Sequence, residues 1–163
     1  MINVEKLVSL GWVRHVATSL ASSDSGIILR ALSLASLITD NNESASDGLI
    51  EMDWLKYILS ALDSANDGYR LEALNVLKNM TERRPPISEL RGYDITTKLI
   101  ILLEEGLELD TEIGKQQAFY VLKILGNLGK ATDEFSEPLY HYGSVQSFFK
   151  CFVNPSKFID LET

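Results

Sequence analysis

The sequence has 163 residues, 45% of them hydrophobic and 23% charged, with a formal net charge of -8 and a mean hydropathy of +0.03. These values exclude a disordered tail and suit a soluble chain with one continuous core. The acidic balance repels phosphate backbones and anionic bilayers, so neither nucleic acid nor a membrane is an expected partner.

Cys151 is the single cysteine, so no intrachain disulfide can form and a reducing compartment is expected. The opening MINVEKLVSLGWV has no basic stretch leading into a clean apolar run, and no segment approaches the length of a membrane span. A cytoplasmic or nuclear protein is the expectation.

In chain order, the first predicted unit covers residues 3–43. It holds LVSLGWVRHVATSL from Leu7 and, after the breakers Ser22-Ser23-Asp24, RALSLASLITD from Arg30. Asp40-Asn41-Asn42 ends it. The second, residues 46–84, holds LIEMDWLKYILSAL from Leu49 and EALNVLKNMTE from Glu72, separated by Asn66-Asp67-Gly68 and closed by Pro85-Pro86. A third unit, residues 87–130, holds LRGYDITTKLIILL from Leu90 and QAFYVLKILGN from Gln117. Within it, Gly106 is expected to break a helix, residues 108–112 to form an exposed inserted loop, and Gly126 to Gly129 to stop the last helix. A partial fourth unit, residues 136–163, begins after Pro138 with LYHYGSVQSFFKCF from Leu139.

Laid over one another, these units share a register of about 40 residues, the mark of stacked helical repeats. Val13, Leu55, Thr96 and Val145 coincide, as do Val16, Ile58, Leu99 and Phe148, and then Leu20, Leu62, Leu103 and Phe152. Those offsets fall on one face of a 3.6-residue helix, so each leucine-led segment reads as a short helix, a bend and an amphipathic helix. The following segments align Ala31 with Ala73 and Ala118, Leu32 with Leu74 and Phe119, and Leu34 with Val76 and Val121. Small residues at one fixed point allow close helix approach, while the larger ones fill the layer between units. No stretch alternates with period two, so the expected class is all-α.

The run L-x-x-x-G-x-V/I-x-x-L/V-x-x-x-L resembles the first two helices of an armadillo repeat, and EALNVLKNMTE resembles the third. That resemblance implies a single right-handed α-solenoid domain over residues 1–163, about three full repeats plus a partial fourth. In armadillo proteins the third helices line a concave groove that holds partner chains. Carried over by register, Ser33, Asn75 and Tyr120 stand where importin-type repeats have tryptophan, and Leu37, Asn79 and Ile124 where they have asparagine. Arg83 completes the expected partner-binding set. A single asparagine cannot form the ladder that grips an extended peptide, so the implied partner is an amphipathic helix or a folded protein surface. The resemblance implies a non-enzymatic scaffold or adaptor. The alternative within the family is a chaperone-associated domain, of the myosin-chaperone or nucleotide-exchange type.

Chemistry finds little support. His15 and His141 are the only histidines and neither sits in a catalytic motif. Cys151 occupies the register of Ala61 and Leu102, a packing position. Glu104, Glu105, Glu108, Asp110 and Glu112 follow no calcium-loop order and read as a solvated rim, so no metal or cofactor is expected. Lys78, Arg83 and Arg84 read as a helix C-terminus favoured by the macrodipole. Leu99 to Leu103 spells L-x-x-L-L, with leucines at core positions of the repeat. Phe148, Phe149, Phe152 and Phe158 end the chain without a third helix to cover them. A fragment of a longer solenoid is therefore expected, with that end covered by further repeats or by self-association.

Overall fold

A computed structural model describes Lys6, residues 9–40, 42–109, 111–132 and Phe135. Its elements are α1 (Trp12–Leu20), α2 (Ser25–Thr39), α3 (Glu43–Glu51), α4 (Leu55–Leu62), α5 (Asp67–Arg83), α6 (Ile87–Leu90), α7 (Ile95–Glu108) and α8 (Glu112–Ala131). Among the described residues there is no strand, and the chain is all-helical as expected. The partial fourth unit, with His141, Val145, Phe148, Cys151 and Phe152, lies outside the described residues. The chain divides into two compact units between Glu89 and Leu90.

In the first unit the polar breakers turn out to be helix caps. Asp24 accepts hydrogen bonds from the amides of Gly26 and Ile27, Asn42 from Ala45, and Asn66 from Tyr69. Each satisfies amides that a helix start leaves without partners, a contribution of about 1 kcal/mol per cap. The bends before α1 and α4 are made by left-handed residues, Gly11 at φ 78° and Asp53 at φ 52°. Glycine takes that conformation freely, whereas a side chain is strained in it by about 1 kcal/mol. Asp53→Gly should therefore raise stability by about 0.5–1 kcal/mol, read as a higher urea midpoint at unchanged slope. The exposed Asp53–Lys56 ion pair lost with it contributes little.

The register residues form the core. Val13, Val16 and Leu20 of α1 and Leu55, Ile58 and Leu62 of α4 are buried, as are Ala31 and Leu32 of α2 and Ala73, Leu74 and Val76 of α5. Trp54, at the start of α4, is buried whole. Helix α2 packs on α1 and α5, and α5 packs on α4.

The polar contacts between α2 and α5 fix their direction. Near the start, the Tyr69 hydroxyl donates to the Ser25 carbonyl. Next, Ser33 and Ser36 donate to the two carboxylate oxygens of Glu72, at 2.8 and 3.0 Å. Towards the far end, the Asn79 amide donates to the Ser36 carbonyl at 2.9 Å and to the Thr39 hydroxyl at 3.3 Å. Residue numbers rise together along both helices, so α2 and α5 lie side by side and parallel.

The second unit is built on α7 and α8, and here the two glycine expectations fail. Gly106 does not break α7; it is buried near the helix end, where a Cβ would lie 2.8 Å from the Gly114 carbonyl oxygen and 3.0 Å from the Ala118 amide nitrogen. Gly126 and Gly129 do not stop α8, which continues to Ala131. The exposed loop expected at residues 108–112 is present but narrower: α7 runs to Glu108, α8 starts at Glu112, and Leu109 and Thr111 between them are exposed. Thr111 caps α8 through the Gly114 amide. Leu99, Leu102 and Leu103 are buried, so the L-x-x-L-L string is core. Gln117 is buried as well, its amide donating to the Leu102 carbonyl at 2.8 Å.

Candidate protein-binding surface

The seven residues expected to line a groove are divided between the units. Ser33, Leu37, Asn75, Asn79 and Arg83 belong to the first, Tyr120 and Ile124 to the second. Ser33, Asn75 and Tyr120, which share one register position, are all half-buried. Each is partly open to solvent. Ser33 is already engaged by Glu72, whereas the Tyr120 hydroxyl accepts a hydrogen bond from Gln116 at 2.9 Å. Arg83 is exposed in the last turn of α5, where its charge opposes the negative end of the helix dipole.

The other register position behaves differently. Leu37 is 43% exposed, Asn79 only 8% and Ile124 0%. Asn79 and Ile124 therefore do not present side chains to a ligand, contrary to the groove placement that the sequence suggests. For Asn79 the physical reason is the hydrogen bonding to α2 just described, which turns its amide towards the neighbouring helix. Its burial inside α5 also removes it as a glycan acceptor, although Asn79-Met80-Thr81 spells the sequon.

Sequence reasoning missed the Glu72 clamp. Two serines three apart on one helix can share a carboxylate on a parallel neighbour, but the pairing becomes visible only once the helices are known to lie side by side. A second missed feature is a shallow depression beside Pro85 and Pro86, lined also by Asp47, Glu51, Glu89 and Arg84. Arg84 reaches Asp47 at 3.5 Å, an exposed pair of small energetic weight.

His15 is exposed, with its ring edge-on to Trp12 at 6.1 Å. Among the described residues, no three or more His, Cys, Asp or Glu side chains are grouped to hold a metal ion. No helix among them is long and apolar enough to cross a membrane.

No family model and no curated protein matches the chain. Two crystal structures of engineered proteins from the Northeast Structural Genomics Consortium are similar in fold. One aligns with a TM-score of 0.70 at 18% identity, over 90% of this chain and 34% of its own. The other aligns with a TM-score of 0.72 at 19% identity, over 94% of this chain and 60% of its own. The chain thus spans only part of each, and the likeness is one of fold alone.

Proposed function

We propose that this chain is a non-enzymatic protein-binding module of the armadillo-like kind, which holds a partner protein along the faces of the third helices α2 and α5 of its first unit. The observation that carries the reading is the parallel pairing of α2 with α5, the arrangement that places equivalent third helices in a row. In an up-and-down bundle neighbouring helices would run antiparallel. Half-buried Ser33 and Asn75 and exposed Arg83 give this face polar groups beside an apolar edge at Leu37. With Asn79 committed to α2, an extended peptide has no asparagine ladder to grip, so the reading favours a helix or a folded surface as partner.

Immobilised protein should capture a stoichiometric partner that an Asn75→Ala/Arg83→Glu double variant loses by roughly tenfold or more. Circular dichroism melts should show both proteins folded, the variant lower by no more than the helix-dipole contribution of about 1 kcal/mol lost at Arg83. Equal capture by both would remove the third-helix face from the account.

A further inference from the structure

The register of the repeats exposes a second surface. On α5, the face that packs against α2 is formed by Tyr69, Glu72, Val76 and Asn79. The alignment of Ala31 with Ala73 makes Ile27, Arg30, Leu34 and Leu37 the same four positions on α2. Each is more open than its equivalent. Ile27 is 46% exposed where Tyr69 is half-buried, Arg30 is exposed where Glu72 is half-buried, Leu34 is half-buried where Val76 is buried, and Leu37 is exposed where Asn79 is buried.

This face is apolar at three positions and carries one cation. Arg30 has no ion pair or hydrogen bond from its guanidinium among the described residues. On α5 the matching position is a carboxylate held by two serine hydroxyls; on α2 the sign is reversed. A helix docking here in the α5-on-α2 geometry would put the equivalents of Ser33 and Ser36 opposite Arg30. A carboxylate at either place would satisfy the guanidinium in a partly desolvated setting, where such pairs discriminate strongly between partners.

We infer that the outer face of α2 is a docking surface for an amphipathic helix of a partner protein, lying parallel to α2 and carrying a carboxylate opposite Arg30. The surface shares Leu37 with the third-helix face proposed above but includes neither Asn75 nor Arg83, so the Asn75→Ala/Arg83→Glu variant should leave it intact and the two can fail independently.

The probe is a peptide copying residues 24–40 with Ser36→Glu, locked as a helix by a staple on the side away from Ser33 and Ser36. Titrated into isotope-labelled protein, it should shift the amides of Ile27, Arg30, Leu34 and Leu37 in a saturable way. Arg30→Glu in the protein should weaken binding roughly tenfold or more, and a Ser36→Arg peptide should restore it to that variant. A nitroxide on the peptide N-terminus should broaden Ile27 in preference to Leu37. Absence of saturable shifts on α2, affinity indifferent to the charge swap, or the opposite broadening pattern would overturn the inference. Concentration-dependent dimers of the unliganded protein that dissociate in Arg30→Glu would overturn it too, by making a second copy the occupant.

Discussion

Gly114→Ala is expected to destabilise the second unit by about 2 kcal/mol. The added Cβ would stand 2.6 Å from both the Cβ and the carbonyl oxygen of Leu109, and 2.8 Å from the Gly106 carbonyl oxygen. Two of those three atoms are backbone, so relief requires α7 and α8 to separate. Overpacking of this kind costs about 1–3 kcal/mol or more, against a gain of about 1 kcal/mol from replacing glycine within a helix. Gly126→Ala supplies the control in the same helix. Gly126 is exposed, and a Cβ added there would meet no described atom within 4 Å, so only the propensity gain remains. Urea unfolding should therefore show shifts of opposite sign for one substitution at two positions of α8. A stabilised Gly114→Ala variant would mean that the helices do not cross at Gly106 and Gly114.

Asn79→Ala is the second large effect, a loss of about 2 kcal/mol in stability. It removes the amide that serves the Ser36 carbonyl and the Thr39 hydroxyl, and it leaves a small cavity between α2 and α5. The unpaired Asn79 Oδ1 disappears in the same step, which moderates the cost. If Asn79 instead faced a bound partner, its replacement would lower affinity and spare stability. Thermal melts and capture assays on one variant separate the two cases. A variant with an unchanged melt and weakened capture would return Asn79 to the binding surface.

The sequence made the helical layout legible wherever the signal was local. Val13, Val16 and Leu20 are spaced to share a helix face, and burial follows. Asp24, Asn42 and Asn66 are residues that favour helix starts, and each is found capping one. The glycines show where locality ends. Gly106 and Gly126 carry the same breaker signal, yet one sits at a helix crossing and the other within an exposed helical turn. Helix propensity sees only the chain, whereas close approach depends on what lies opposite. The binding surface suffers from the same gap. Register identifies Leu37, Asn79 and Ile124 as equivalent, but a neighbour decides whether that position is open, and α2 covers Asn79. Gly114 and Ala118, four apart on α8, were the available hint of a close crossing, because small residues at that spacing line one helix face.

The direction of α5 along α2 is most directly tested by isotope-edited nuclear Overhauser spectroscopy of the full chain. Parallel stacking predicts cross-peaks from the Asn79 side-chain amide to Ser36 and Thr39, together with cross-peaks from the Tyr69 ring to Ser25. The reverse pattern, with Tyr69 near Thr39 and Asn79 near Ser25, would contradict the stacked arrangement and remove both proposed surfaces.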